Sequence, residues 1–440
     1  MSPRIALISL GCAKNLVDSE VMLGFLKQAG YGFASTPEKA DIIVLNTCGF
    51  IQPARDEAEN AIRDALRLKG RDPGKRVVVA GCYVQRNREA LARAFPGVDD
   101  WVDVSAFDKI VERIEARPST RRRGTFLYSH RTPRVVSTPP GWAYVKVSEG
   151  CSHECAFCSI PRIKGPYRSR PVSSIVEEVR ELASQGVKEV DLISQDTTYY
   201  GRDLGLKHGL VRLLRKLVDV KGIAWLRILY GYPEEVSDAL LEVMQDPKVC
   251  PYLDIPFQHA DPGILKAMRR SMNADRGLRL IEKIRSRNPD VALRTSLIVG
   301  FPGEGRKEFN RLMRFVREAA FDHLGVFTYS PESGTAAFNR GNPVRETVKE
   351  GRRSSLMRLQ AEISRRHNQK YKGRRLDVLL DRTAPGDPAL VLGRTRFQAP
   401  EVDGLVRVRT PRPAAGFLQA VHQVEITSAG VYDLRGNLVG

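Results

Sequence analysis

Short apolar runs alternate with stretches of helical spacing along the first third of the chain. The runs are typical of buried strands, and the apolar positions between them recur every three to four residues, as in amphipathic helices. Strand-like runs lie at Arg4–Leu10, Asp41–Leu45 and Arg76–Ala80, and helical stretches at Asp18–Ala29 and Ala54–Leu68. Because this alternation implies a parallel sheet with right-handed crossovers, we expect an N-terminal α/β domain.

The same alternation resumes after Trp142 and continues much further. Strands are expected at Ala143–Val147, Glu189–Ile193, Trp225–Tyr230, Tyr252–Pro256, Ala292–Val299 and His323–Thr328. Helices are expected near Ser173–Gln185, Leu210–Val218, Glu235–Met244, Asp261–Arg287 and Gly305–Ala319. Six strand–helix repeats favour a curved parallel sheet or a partial (βα)6 barrel over a doubly wound sheet. In either arrangement, ligands bind beyond the carboxyl ends of the strands.

The pattern changes again after a basic helix at Arg345–Tyr371. Short β segments follow at Leu376–Leu380, Leu390–Thr395, Leu405–Arg409, Phe417–Ile426 and Gly430–Asp433. About five short strands in some seventy residues predict a small, OB-like β-barrel.

A boundary between the first two domains is indicated by residues 116–141, which are rich in proline and arginine and contain no acidic residue. Such a shift in composition is typical of a linker. We expect an N-terminal domain at 1–118, a linker at 119–136, a core at 137–370 and a terminal barrel at 371–440.

Composition places the chain among ordinary globular proteins. Its 440 residues are 42% hydrophobic and 28% charged, and no apolar run approaches the ~20 residues that span a bilayer. The apolar stretch Ile5–Cys12 is too short for a lipoprotein signal, and Lys14 and Asp18 follow it at once. We therefore expect a cytoplasmic protein without a membrane partner.

The charge is strongly positive, with 70 Lys and Arg against 51 Asp and Glu and a net charge of +19. Such an excess favours a polyanionic neighbourhood such as RNA, a ribosome or a membrane surface. Part of it is concentrated in Arg340–Arg375, with twelve basic residues against three acidic ones. This segment is either a solvated basic helix or a surface that faces RNA or the ribosome.

Seven cysteines, an odd number in a long chain, argue for metal or catalytic work rather than a disulfide framework. Three of them follow strand-like runs, in ISLGC at Cys12, LNTCGF at Cys48 and VVAGCY at Cys82. The carboxyl ends of parallel strands lie at one edge of a sheet, so we expect these thiols to converge there. A shared metal centre explains the placement better than coincidence does.

Three further cysteines, Cys151, Cys155 and Cys158, form a C-x3-C-x2-C motif in EGCSHECAFCSIPR. Thiolates so close together repel one another unless a cation neutralises them. Zinc is one alternative, with His153 as the only further local ligand. An iron–sulfur cluster with three thiolates and one open iron fits the number of cysteines better.

This motif, C-x3-C-x-Phe-C after the first strand of a (βα) domain, resembles the signature of radical S-adenosylmethionine (SAM) enzymes. The resemblance implies a [4Fe–4S] cluster on the three cysteines, with SAM on the fourth iron and Phe157 near the adenine. SLIVGFPGE, with Gly300 and Pro302, resembles the family's late strand end beside the adenosyl group. ISQDT, with Ser194 and Gln195, stands where that family contacts the amino-acid part of SAM, although the usual Gly-Gly-Glu form is absent.

The three-part arrangement resembles the methylthiotransferases, whose first three cysteines hold a second [4Fe–4S] cluster and whose terminal barrel is a TRAM domain. SLGCAKNLVDSE, NTCGFI, SQDTTYYG, YLDIPFQHA and YSPESGT are similar to the branch that acts on ribosomal protein uS12. This implies methylthiolation of an aspartate β-carbon in uS12, free or on the small ribosomal subunit. It also implies a flavodoxin-type electron donor and no catalytic side chain beyond the cluster ligands.

Two alternative functions remain open. The same reaction could act on a tRNA adenosine, which the positive charge also suits, or the chain could be a zinc-stabilised RNA-binding protein without catalysis. A G-x-x-x-x-G-K-[ST] phosphate loop is absent, so nucleotide hydrolysis has no support.

Three other positions have simpler interpretations. Cys250 fits neither trio and is expected to be a buried structural thiol. His259, at a strand end, faces substrate or SAM or is a satisfied core histidine. Tyr199 and Tyr200 line a pocket or lie on the surface.

Overall fold

The computed structural model describes residues 2–117, 125–410 and 416–439. These fall into two units. The first comprises residues 1–137, 146–175 and 332–335, and the second comprises 138–145, 176–331 and 336–440.

A five-stranded parallel sheet forms the centre of the first unit, in the order β2-β1-β3-β4-β5. Its strands are β1 (Arg4–Ser9), β2 (Gly32–Phe33), β3 (Ile42–Thr47), β4 (Arg76–Gly81) and β5 (Asp100–Val102). The predicted parallel α/β sheet is confirmed. The sequence pattern missed β2 and β5, which have only two and three residues.

Helices cover both faces of this sheet. They are α1 (Ala13–Gln28), α2 (Gln52–Arg71), α3 (Cys82–Ala94) and α4 (Ile110–Ile114). Successive strand residues point to opposite faces, so Ile43 and Leu45 join one buried cluster and Ile42 and Val44 the other. Helix α1 begins at Ala13, five residues before the predicted start, so the residue directly before it is Cys12.

The described part of the predicted linker, residues 125–136, packs against α1, whereas residues 119–124 lie outside the described ranges. The Glu20 carboxylate accepts hydrogen bonds from Arg134 Nε at 3.0 Å and from the Ser137 backbone at 2.6 Å. The backbone N–H of Val135 donates to the carbonyl of Glu20. A buried acidic side chain thus holds this basic segment in place.

The first unit also contains the cysteine-rich segment that follows β6 (Trp142–Lys146). A short antiparallel pair, β7 (Ser148–Glu149) and β8 (Arg168–Ser169), encloses this segment and the five-residue helix α5 (Ile160–Lys164). The paired strands bring the two ends of the segment together at its base.

The second unit contains two three-stranded sheets. One has the order β10-β9-β6, with β9 (Glu189–Ile193) and β10 (Trp225–Ile228). The other joins β11 (Tyr252–Asp254), β12 (Ala292–Val299) and β13 (His323–Thr328) in parallel. A parallel bridge between Leu226 and Val249 continues one sheet toward the other. The six predicted strands are all present, and the partial barrel is confirmed.

Helices α6 (Val172–Ser184), α7 (Gly209–Leu217), α8 (Asp238–Val243), α9 (Pro262–Ala267), α10 (Ala274–Arg287) and α11 (Arg306–Ala319) alternate with these strands, and α12 (Glu346–Gln369) follows them. The predicted single helix Asp261–Arg287 is wrong. Arg269 has φ = 57°, which ends the first helix, and the Asn273 side chain caps the second. No helix within the described ranges is both long and apolar enough to cross a membrane.

A closed five-stranded barrel ends the second unit, as predicted. Its strands are β14 (Arg375–Ala384), β15 (Asp387–Thr395), β16 (Val406–Arg409), β17 (Val421–Ala429) and β18 (Leu434–Leu438). The predicted strand Gly430–Asp433 is wrong, because these residues form the turn between β17 and β18. In this turn the Gly430 N–H donates to the Asp433 carbonyl, and the Asp433 carboxylate accepts from Leu405.

Buried ion pairs fix this terminal barrel to the parallel strands. Arg394 of β15 lies 2.7 Å from Glu189 of β9 and 2.9 Å from Asp381 of β14. Arg227 of β10 lies 2.7 Å from the same Glu189. Burial alone would raise the pKa of Glu189, but the two guanidinium groups outweigh burial and lower it. Burial and the neighbouring Glu189 raise the pKa of Asp191 well above its ordinary value.

Candidate cluster-binding site

Three cysteines of the first unit lie at the carboxyl edge of its sheet. Cys12 follows β1 and precedes α1, Cys48 directly follows β3, and Cys82 is the first residue of α3, directly after β4. Because β1, β3 and β4 are adjacent parallel strands, their thiols share one edge of the sheet. The three residues therefore lie along the edge at which the sequence predicted them.

Close approach at this edge depends on Gly11, which has φ = 95°. A Cβ atom at this position would lie 2.6 Å from Cys48 Cβ and 3.2 Å from its Sγ, so a side chain here would displace the thiol. Burial raises the pKa of Cys48 to about 11, and Cys12 adds to the shift. Burial raises the pKa of Cys82 to about 12, and both other thiols add to it. A cation would be needed to hold this trio as thiolates.

Hydrogen bonds beneath the thiols hold the strand ends together. Asn15 Nδ2 donates to the carbonyl of Leu10 at 2.6 Å, and Asn46 Nδ2 donates to Asn15 O at 2.9 Å and to Ser19 Oγ at 2.8 Å. Thr47 Oγ1 donates to the carbonyl of Ala80 at 2.6 Å. These polar residues of SLGCAKNLVDSE and NTCGFI therefore connect β1, β3, β4 and α1 around the cysteines.

Within the described ranges, no three Cys, His, Asp or Glu side chains are arranged as ligands of one metal ion. A [4Fe–4S] cluster held by three cysteines takes one thiolate at each of three irons, so its ligands surround it instead of meeting at a point. The three thiols at the sheet edge are candidate ligands for such a cluster.

The second trio lies in the loop between β7 and α5. Cys151 is buried, and Cys155 and Cys158 are half-buried, as is Phe157 between them. The Cys151 N–H donates to the carbonyl of Gly165, and the Cys158 N–H donates to the carbonyl of Cys155, each at 3.1 Å. The loop is therefore tight, and its backbone is ordered by its own hydrogen bonds.

Four buried charges connect the two trios. Lys146 contacts Asp18 of α1 and lies 2.6 Å from Glu149, two residues before Cys151. Lys164, at the end of α5, lies 2.9 Å from Asp18 and 3.5 Å from Glu149. Lys164 also opposes the effect of burial on the pKa of Cys82. The sequence prediction missed this network, although Asp18 stands in the same motif as Cys12.

Glu332, from the YSPESGT motif, is a second residue that the prediction missed. It is buried in the first unit, 2.5 Å from Arg55 of α2 and 2.7 Å from Arg86 of α3. Arg86 also donates to the carbonyl of Gly49 at 2.9 Å. This glutamate thus connects the helix that follows Cys48 with the helix that begins at Cys82.

In the second unit, the predicted SAM-contacting residues lie at the ends of β9 and β12. Ser194 is fully buried, and its Oγ has no hydrogen-bond partner among the described residues; the same is true of Gln195 Oε1. Gly300 has φ = 75°, and its N–H donates to Glu304 at 2.8 Å. Pro302 is buried. Unsatisfied polar atoms at a strand end fit a polar cofactor there.

The remaining candidates are buried or partly buried. His259 is buried, and its Nδ1 accepts from the Asp261 N–H at 3.0 Å. Its Nε2 lies 3.3 Å from Glu304 but has no hydrogen-bond partner among the described residues. Cys250 is buried, and burial raises its pKa to about 12. Tyr200 is buried. The Arg202 guanidinium lies over the Tyr199 ring, 4.9 Å from the ring centroid.

Three sequence families match successive parts of the chain. Residues 4–103 match the family described as uncharacterized protein family UPF0004, and residues 145–316 match the radical SAM superfamily. Residues 373–439 match the TRAM domain. The matches correspond to the α/β sheet, the (βα) strands and the terminal barrel.

Full-length relatives share one name. The chain is 46% identical to "Ribosomal protein uS12 methylthiotransferase RimO" of Anaeromyxobacter sp. (strain Fw109-5), over 99% of this chain and 93% of that relative. It is 43% identical to the protein of the same name from Aquifex aeolicus, over 98% and 96%. Its fold is similar to that of the radical SAM methyltransferase TsrM from Kitasatospora setae, which was solved with cobalamin and a [4Fe–4S] cluster bound. The TM-score is 0.56 and the sequence identity is 16%, and the match covers 77% of each chain. The chain therefore belongs to the RimO family of radical SAM methylthiotransferases.

Proposed function

We propose that this protein transfers a methylthio group to the β-carbon of an aspartate in ribosomal protein uS12, with SAM and two [4Fe–4S] clusters. One observation carries the proposal: two cysteine trios occur in one unit of a chain that matches RimO relatives over nearly its full length. A single cluster would explain only the second trio.

The two trios are assigned different roles. Cys151, Cys155 and Cys158 would hold the SAM-binding cluster, and Cys12, Cys48 and Cys82 the sulfur-bearing one. When bound, the cluster on Cys151, Cys155 and Cys158 would supply the electron that cleaves SAM. The cluster on Cys12, Cys48 and Cys82 would supply an open iron for sulfur. Phe157, Ser194, Gln195, Gly300 and Pro302 are proposed to contact SAM.

The chemistry explains why the chain positions the cofactors and the substrate and does not provide a general base. An aspartate β-C–H is hardly acidic, so no tuned histidine or carboxylate could remove it as a proton at a useful rate. The protein's own residues hold the clusters, orient substrate and exclude water, while the cofactors carry the reaction. The buried network of Asp18, Lys146, Glu149 and Lys164 supports this reading, because it ties the segments that carry both trios.

The partners follow from the substrate and the charge. Exposed arginines of α12 and the TRAM barrel suit contact with ribosomal RNA, and we place the reaction in the cytoplasm, on uS12 that is free or in the small subunit. A flavodoxin-type protein is proposed as the electron donor.

Reconstituted enzyme tests the proposal directly. Purified anaerobically, reconstituted with iron and sulfide, and supplied with SAM and a chemical reductant, it should convert the uS12 aspartate to the methylthio form. Mass spectrometry of the tryptic peptide detects this product. A uS12 variant with asparagine at that position is the matched control and should remain unmodified. Modification of a tRNA adenosine instead, or stoichiometric zinc without cluster absorbance, would contradict the proposal.

A further inference from the structure

The partial barrel of the second unit has one covered and one open face. Along β12, Thr295, Leu297 and Val299 are buried, whereas the alternating residues Arg294, Ser296 and Ile298 are only partly buried. The same alternation runs along β13, where Phe327 is 49% exposed. Because side chains alternate across a strand, the partly buried residues form one continuous face.

Arg294 is an unusual member of this face. Its side chain is only 13% exposed, and its Nε lies 3.6 Å from Asp403 Oδ1. Nη1 is buried and has no hydrogen-bond partner in the part of the chain that the structure describes. Buried N–H donors without acceptors cost free energy, so an acceptor that enters this face would be favoured.

Gly325 of β13, which pairs with Ser296, lies beside the guanidinium. A Cβ atom at this glycine would lie 3.4 Å from Phe327 Cε2, 3.6 Å from Ser296 Oγ and 3.7 Å from Arg294 Nη2, which are ordinary van der Waals distances. The absence of a side chain at Gly325 thus leaves space for an atom between the guanidinium and the ring of Phe327.

The acidic groups around Arg294 are partly engaged elsewhere. Asp403 Oδ2 accepts from the Tyr252 hydroxyl at 2.7 Å and from the Ala399 N–H at 2.8 Å. Asp254 Oδ2 accepts from the Tyr230 N–H at 3.2 Å. Burial alone would lower the pKa of Arg294, but Asp254, Tyr252 and Asp403 outweigh burial and raise it, so the guanidinium stays charged.

Two residues at the strand ends of this barrel have left-handed backbones. Tyr230 follows β10 with φ = 61°, and Gln258 follows β11 with φ = 68°. Such conformations cost about 1–3 kcal/mol for residues other than glycine, and they cluster at binding and active sites. Both residues adjoin the partly buried face, because the Tyr230 N–H donates to Asp254 and the Gln258 N–H donates to the carbonyl of Ser296.

We propose that Arg294 binds the carboxylate of the substrate aspartate and thereby selects that residue for modification. This inference rests on the proposed function. A guanidinium matches a carboxylate as a two-pronged donor. Since the β-carbon is bonded to the carboxyl carbon, an anchored carboxylate also orients the β-C–H. Arg294 is therefore a specificity-determining residue rather than a group that reacts.

Binding measurements with reconstituted holoenzyme test the assignment. The probes are two fluorescent peptides with the sequence of the modified uS12 loop, one with aspartate and one with asparagine at the target position. We expect Arg294→Met to weaken the aspartate peptide about 10- to 100-fold and to abolish the preference for it over the asparagine peptide. Arg294→Lys should retain part of the preference. Arg279→Met, on the exposed side of α10, is the matched control and should bind like the wild type.

SAM also carries a carboxylate, so its binding is measured in the same variants. The proposal expects SAM affinity and substrate-free formation of 5′-deoxyadenosine to be unchanged in Arg294→Met. Weaker SAM binding with an intact peptide preference would assign Arg294 to the cofactor and overturn the proposal. So would a wild-type enzyme that does not prefer the aspartate peptide.

Two further measurements distinguish a folding defect from a loss of binding, and the proposed function from the assignment of Arg294. If Arg294→Met does not fold, the double variant Asp254→Asn/Arg294→Met removes the charge imbalance, and a peptide preference that persists in it refutes the assignment. If wild-type enzyme binds the aspartate peptide but does not methylthiolate it, the proposed function fails while the assignment of Arg294 stands.

Discussion

Replacement of Cys151, Cys155 and Cys158 together by alanine should abolish SAM cleavage while leaving about half of the iron bound. Two [4Fe–4S] clusters correspond to about eight irons per chain, and the variant should retain about four. The reason is that the first trio is held by its own sheet edge and by Asn15 and Asn46, none of which the replacement touches.

Iron analysis and 5′-deoxyadenosine assays of the reconstituted variant measure this result. The reciprocal replacement of Cys12, Cys48 and Cys82 should keep SAM cleavage and lose methylthiolation. Cys250→Ala is the control, because this buried thiol belongs to neither trio, and it should keep all the iron. Loss of all iron from either triple variant would mean that the sites are not held separately.

Replacement of Arg394 by methionine should destabilise the second unit by about 3–5 kcal/mol, the usual cost of removing one partner from a buried ion pair. Arg394 is 1% exposed and pairs with Glu189 and Asp381, which are equally buried. Without it, both carboxylates stay in a low-dielectric interior, with only Arg227 left to compensate Glu189.

Urea unfolding of the apoprotein measures the loss, and a nearby exposed pair provides the control. Arg407 lies 3.1 Å from Asp433 in the same barrel, but the two side chains are 42% and 37% exposed. Since exposed pairs contribute at most about 1 kcal/mol, Arg407→Met should be nearly neutral. Equal destabilisation by the two variants would show that burial of the Arg394 pairs does not matter.

The ion pairs of Arg394 affect the interpretation of experiments in which the terminal barrel is deleted. Deletion of the residues after Tyr371 removes Arg394 together with the barrel and leaves Glu189 and Asp191 buried near a single guanidinium. Such a truncation would alter the (βα) strands as well as any docking surface. Substitutions on the exposed side of the barrel are therefore the better way to ask whether it contacts uS12 or RNA.

Local pattern alone determined much of the architecture. Apolar runs placed the long strands correctly because a buried strand shows its burial in its own few residues, and the cysteines at the ends of β1, β3 and β4 were visible for the same reason. The hydrophobic pattern gave wrong or missing elements where the local structure does not depend on the burial of apolar residues. The short strands β2 and β5 lie outside the long apolar runs, the break at Arg269 is a backbone conformation, and Gly430–Asp433 is a turn ordered by Asp433.

Only the tertiary structure decided which charges meet. Asp18 and Lys164 are 146 positions apart, Arg55 and Glu332 are 277 apart, and the pairing of Arg394 with Glu189 joins two domains. The sequence pattern also gave no indication of a binding role for Arg294, because this residue lies in β12 like any other strand residue. Hydrophobic periodicity indicates whether a residue is buried. It does not indicate the partner of a buried charge, because that partner comes from a distant segment that packs beside it only in the complete fold.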